Sequence, residues 1–214
     1  VGLVFSQSAG MFSNTGKSLI GIECHYESED VEGGSVTTTS IGGSYVLNGN
    51  LEIGVSYDMG KAENDDNSDS DFDIDGLSYG GYYHIKETET LPLNIKIGGW
   101  YGSAKASADW LDDAGAEIEA TGSGFGGGVY KNIYQKDAIS IIGFFNFHSV
   151  TTETILDIEE NNYYYAYSET TKDEYNSTQI GLAIRNGNLF IKPSISRNDD
   201  ESSFVVTIGY LLPQ

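Results

Sequence analysis

The chain has 214 residues, with 11 Lys plus Arg against 32 Asp plus Glu, a formal net charge of −21 at pH 7. That balance repels polyanions over most of any folded surface and excludes nucleic acid as a partner. No run of about 18 apolar residues occurs, which excludes a membrane-spanning helix but leaves open a strand wall that is apolar only at every second residue.

The length suits a single domain, residues 1–214, and no linker-like composition shift divides it. Gly at 27, Tyr at 15 and only 3 Pro describe a strand-rich chain with tight turns. The lone Cys24 rules out an intramolecular disulfide. Val1 to Ala9 is a short apolar run ending in small residues, with Ser6 and Ser8 at spacings that suit a signal-peptide cleavage site. Residues 1–12 read as a signal-peptide remnant or an N-terminal extension, and an ordinary first strand is the alternative.

From Lys17 onward the chain alternates with period two in strand-length segments. Ile20, Ile22, Cys24 and Tyr26 form one stripe, and Ile41, Gly43, Tyr45 and Leu47 the next. Leu51, Ile53, Val55 and Tyr57 follow after Asn48-Gly49-Asn50, a turn whose residues accept positive φ. The spacing then pairs Leu77 to Ile85 with Leu93 to Tyr101, and Phe125 to Val129 with Ile139 to Phe147. Ile180 to Ile184 and Leu189 to Ile195 flank a second Asn-Gly-Asn at 186–188, where Pro193 requires an edge, a bulge or an N–H position that faces no partner. The count is about ten strands. Connections at 48–50, 86–91, 132–137 and 186–188 are short, whereas those near Asp30, Asn64, Asp112 and Glu160 are mostly longer and acidic.

In the last segment Phe204, Val206, Ile208, Tyr210 and Leu212 share one apolar face, and Ser203, Val205, Thr207, Gly209 and Leu211 the other. This ending resembles the C-terminal strand of bacterial outer-membrane β-barrel proteins, although Leu212 stands where a terminal Phe is usual and Pro213-Gln214 follow. The resemblance implies an all-β, antiparallel transmembrane barrel in the bacterial outer membrane. It also implies short periplasmic turns, long extracellular loops, surrounding lipid, and contact with the outer-membrane assembly machinery.

Outward apolar stripes place Glu23, His25, Glu52, Asp58, His84, Lys96, Asn146, His148, Arg185 and Lys192 toward the lumen. A mutually neutralising network is the expected use of these charges, with Arg185 and Lys192 compensating carboxylates such as Glu23 and Glu52. The three histidines, on different strands, read as isolated lining residues. Asp71-Phe72-Asp73-Ile74-Asp75-Gly76 matches the first half of a calcium loop, with Tyr82 where the bidentate Glu belongs. It reads either as a Ca²⁺ site on Asp71, Asp73 and Asp75 or as a solvated acidic loop. Tyr163, Tyr164, Tyr165 and Tyr167 form either a surface for an extracellular ligand or part of an aromatic girdle. No catalytic motif stands out. The expected function is a non-enzymatic anchor whose acidic, Tyr-rich loops bind a partner or cations. A narrow passive channel and a surface hydrolase are the alternatives.

Overall fold

A computed structural model describes residues 8–31, 33–64, 71–158, 166–198 and 201–213. Period-two alternation makes the extended chain the conformation that separates apolar from polar side chains, and ten strands form by that rule. They are β1 Leu19–Val31, β2 Gly34–Leu47, β3 Leu51–Asn64, β4 Phe72–Ile85 and β5 Asn94–Ser107, followed by β6 Ala116–Lys136, β7 Ile139–Ile158, β8 Tyr167–Asn186, β9 Leu189–Asn198 and β10 Glu201–Pro213. Two short helices accompany them, α1 Ala9–Phe12 and α2 Asp109–Ala114. Each strand pairs antiparallel with its neighbours in sequence, and β1 pairs β10 to close the barrel.

A row of paired residues starting at Leu19 runs through Val46, Glu52, Tyr82, Gly98, Gly126, His148, Ser177 and Asn198 to Glu201. Glu201 lies two residues beyond Ser203, the partner of Glu29, so the row returns to β1 level with position 31, a climb of 12 residues from position 19. That stagger tilts the strands by roughly 40° to the barrel axis.

The outer face is apolar as expected: Ile22, Leu51, Ile53, Val55, Ile97, Phe204 and Ile208 are all exposed there. Toward the end opposite the Asn-Gly-Asn turns, Tyr26, Tyr57, Tyr79, Tyr101 and Phe125 stand on the outer face of their strands as an aromatic girdle. Above that girdle, Lys61, Asp75 and Lys105 replace the apolar residues on β3, β4 and β5. The β3–β4 and β7–β8 connections emerge at this upper end. The Asn-Gly-Asn turns close the lower end, where Asn48 and Asp137 adopt positive φ.

The connections differ from expectation in three places. Residues 132–136 belong to β6, with a bulge between Asn132 and Tyr134, so the lower turn narrows to Asp137 and Ala138. On the upper side the extra length lies in β7 and β8, of 20 residues each against 10 in β9. Ladder pairing continues where alternation outlasts the membrane. Third, the half calcium motif from Phe72 onward is strand. Alternation therefore sets Asp73 and Asp75 in file along the outer face instead of curling them around an ion. At Pro193 the β8–β9 ladder skips from Gly181–Ser194 to Ile184–Ile191, while pairing with Val206 of β10 persists. The missing N–H is thus accommodated by a local gap on one side.

Val55→Arg should destabilise the folded barrel by about 2–4 kcal/mol near the bilayer midplane. Ser56→Arg points inward beside Ser78 and Asp58, so its cost comes from overpacking rather than from lipid. Urea titration of the two variants refolded in vesicles checks this, and a neutral Val55→Arg contradicts a lipid-facing wall.

Candidate functional site

The lower third of the lumen is filled by the chain's own N-terminal segment. Residues 8–12 are not a first strand: Ser8 to Phe12 form a buried helical turn inside the barrel, and residues 1–7 lie outside the described part. A four-residue helix is not stable alone, so contacts with the wall must hold it. Ala9, Met11 and Phe12 pack with Leu19, Val46, Ile142, Phe144 and other buried wall residues as one apolar cluster. The Phe12 ring lies 5.1 Å from that of Phe190. Each large apolar side chain buried this way contributes roughly 1.5–3 kcal/mol. This turn is a stopper.

Glu52 fixes it. One carboxylate oxygen accepts the Gly10 N–H at 3.1 Å and the Ser44 hydroxyl at 3.1 Å, and the other pairs with His84 Nε2 at 3.0 Å. His84 Nδ1 meets the Tyr130 hydroxyl at 3.0 Å, and Lys86 Nζ donates to Gly10 O at 2.8 Å and to Tyr130 Oη at 3.1 Å. The Glu52 and His84 side chains are fully buried. A Cβ at position 10 would run into the His84 ring and the Glu52 carboxylate, so only Gly fits this clamp.

Arg185 caps the stopper and does not pair with a carboxylate as expected. It donates to Gly187 O at 2.6 Å and Phe12 O at 3.5 Å, and its guanidinium lies 6.0 Å from the Phe12 ring centroid. Its place near the lower turn explains this, because stopper carbonyls and the ring are what its side chain reaches. Lys192 is buried with its Nζ 5.7 Å from the Phe144 ring centroid.

Above the clamp the lumen is polar and crowded. Lys96 sits 4.7 Å from the Tyr82 ring centroid, and the Tyr82 hydroxyl meets His148 Nε2 at 3.0 Å. Asn146 donates to Gln179, which donates to Ser194, both at 3.0 Å. His25 Nδ1 meets Thr207 Oγ1 at 3.1 Å with its Nε2 3.7 Å from Glu27, and Asp58 accepts from Ser78 at 2.7 Å. The histidines are therefore bonded members of the network, not isolated residues. Gly124 and Gly126 leave room on β6 for Trp100 and His148, which explains the glycine run opposite bulky lining residues. Sequence alternation named the His25, Glu52, Asp58, His84, Lys96, Asn146 and His148 positions but not their partners Tyr82, Lys86, Tyr130 and Gln179. It missed the stopper, since a single helical turn has no periodicity to detect.

At the upper end Tyr163, Tyr164 and Tyr165 lie outside the described residues, whereas Tyr167 is exposed and donates to Glu169 at 2.6 Å. Trp110 on α2 donates to Asp71 O at 3.1 Å, tying that helix to the start of β4. The Asp71 carboxylate accepts from the Asn64 N–H at 3.0 Å and Asp75 from the Tyr57 hydroxyl at 2.8 Å. Among the described residues no cluster of three or more His, Cys, Asp or Glu is placed to hold a metal ion.

Glu52→Ala should destabilise the barrel by about 3–5 kcal/mol, because it leaves the Gly10 N–H, Ser44 and His84 without their acceptor. Arg185→Ala, at a half-buried site, should cost clearly less. Equilibrium unfolding of the refolded variants checks the order, and equal costs would show that Glu52 is not the clamp.

No family model and no curated protein matches the chain. Among solved structures, the β domain of the Bordetella autotransporter BrkA is similar over 91% of this chain and 99% of that one, at 9% identity and a TM-score of 0.51. The translocator domain of the autotransporter NalP from Neisseria meningitidis is similar over 92% and 89%, at 12% identity and a TM-score of 0.44. The KdgM porin matches over 89% and 98%, at 12% identity and a TM-score of 0.38. Likeness at this identity concerns the fold. The chain thus shares the closed antiparallel β-barrel fold of the BrkA β domain, with an apolar outer wall.

Proposed function

We propose that the protein is a non-enzymatic anchor, closed to solutes, that presents an acidic surface outside the cell. The observation that carries this reading is where the barrel spends its residues: the lumen is stoppered from below, while β6, β7 and β8 run on above the girdle. β9 pairs with β8 only from Ser177 downward, so residues 167–176 rise past the end of β9. The raised part of β7 and β8 carries Glu153, Glu169, Asp173 and Glu174, while Glu117 and Glu119 of β6 stay beside Lys105 of β5. In this reading lipid surrounds the wall, the assembly machinery reads β10, and an extracellular ligand meets the raised sheet. The channel alternative loses support from the stopper. The hydrolase alternative has no favouring geometry, because the buried polar groups of the clamp serve the stopper and one another.

Planar-bilayer recording of the refolded protein tests this. Wild type should show no steady conductance, and Gly10→Leu, which cannot seat the stopper beside His84 and Glu52, should show frequent openings. Steady ohmic conductance in wild type would make the protein a channel.

A further inference from the structure

The foot of β6 is irregular in a way that gathers charge. Lys131 pairs with Gly143 on β7, Tyr134 with Ile141 and Lys136 with Ile139, so the bulge slips the register by one residue between the first pair and the second. Strict alternation from Lys131 would send Tyr134 and Lys136 inward. The bulge instead sets all three on the outer face with the exposed Ile139 and Phe145, because residues directly opposite in a ladder share a face. Asn132 fixes the bulge: its Oδ1 accepts the Tyr134 N–H at 3.2 Å, and its Nδ2 donates to Gln135 Oε1 at 2.9 Å.

The surface this creates is amphipathic. Ile133 and Tyr134 are exposed, and Gly143 leaves a notch beside them in which a Cβ would meet only Ile133, at 3.9 Å. Lys131 follows Val129 on the outer face of β6, at the lower edge of the apolar wall that begins above at Phe125. Gly143 and Ile139, the partners of the two lysines, stand four residues apart on β7, about 13 Å at 3.3 Å per residue, with Tyr134 between. The other lysines on the outer face of the strands, Lys61, Lys105 and Lys172, each pair with a carboxylate. Lys131 and Lys136 have no such partner among the described residues, in a chain of net charge −21.

Two cations without a carboxylate and a phenol hydroxyl, at the lower rim of an apolar wall, complement an anion that is itself anchored in lipid. Lysine stems run along apolar surface while their ammonium groups reach the headgroup layer. Resting on the reading above of a wall set in lipid, we propose that the bulged foot of β6 binds the phosphate of an anionic phospholipid in the leaflet nearer the Asn-Gly-Asn turns. Lys131 and Lys136 hold the phosphate and Tyr134 donates its hydroxyl to it. An acyl chain lies against Ile133, Ile141 and the notch at Gly143.

The test uses the full chain refolded in a non-ionic detergent and titrated with phosphatidylglycerol or with phosphatidylcholine of the same acyl chains, bound lipid being counted by native mass spectrometry. Phosphatidylglycerol should saturate at a single tightly held molecule, and phosphatidylcholine should bind there more weakly by roughly tenfold. Lys131→Gln with Lys136→Gln should abolish that difference, and Lys131→Arg with Lys136→Arg should keep it. Lys105→Gln with Lys172→Gln removes the same charge from the upper end and should leave the difference intact. Folding of each variant is checked by its resistance to unfolding in cold sodium dodecyl sulfate. If the upper pair lowers the preference as much as the lower pair, the attraction is diffuse charge and the site proposal fails. If inorganic phosphate at the same concentration displaces the lipid, the site takes a free anion and the headgroup proposal fails as well. Equal binding of the two lipids by wild type overturns the site and leaves the anchor reading standing, since that reading falls on steady conductance in the bilayer recording.

Discussion

Backbone N–H and C=O groups have no water to turn to inside hydrocarbon, and everything in this chain follows from that. Pairing β1 with β10 satisfies the last two edges of the wall. Closure with ten strands and a climb of 12 residues then fixes the tilt, and the tilt fixes how much interior there is to fill. Side chains alone fill most of it, with Trp100, Tyr82 and His148 set against a glycine-rich stretch of β5 and β6. At the lower end the chain adds a helical turn of its own. The charges of Glu52 and Lys86 are tolerable there because the Gly10 backbone of the stopper donates to the first and accepts from the second.

This division of labour accounts for the asymmetry of the interior. The apolar cluster that contains Met11, Phe12, Phe144 and Phe190 occupies the lower end, where it excludes water. Toward the upper end the lining turns to Ser40, Ser56, Ser78 and Thr207, with Asp58 and His25 among them. A porin requires water-filled polar lining from end to end. Here the polar half ends on a hydrophobic floor, which supports the proposed closed barrel.

The wall was legible in the sequence because alternation is strict wherever one face meets lipid, as Leu51, Ile53 and Val55 show against Glu52, Ser56 and Asp58. A one-residue slip there reverses every side chain, so the pattern admits one register. Three features lay beyond that logic. Residues 8–12 contact the wall through backbone atoms and three apolar side chains, with no period in the sequence. Arg185 has the right face for a lumen charge, but its partners are carbonyls that no residue identity announces. Asp71, Asp73 and Asp75 match a loop motif by composition, yet the same spacing of two is strand periodicity, and pairing with Lys61 and Ala62 on β3 makes the strand win.

Above the girdle the governing constraint changes sign. Water is available there, so a strand edge no longer carries the cost it has in hydrocarbon, and β8 continues above its pairing of Ser177 with Asn198 on β9. What limits such an edge in water is association with the wrong neighbour. Exposed carboxylates at Glu169, Asp173 and Glu174 supply that restraint by repelling copies of the same chain. The alternation that closes the barrel in the membrane thus produces, a few residues higher, the part of the protein best placed to meet another molecule.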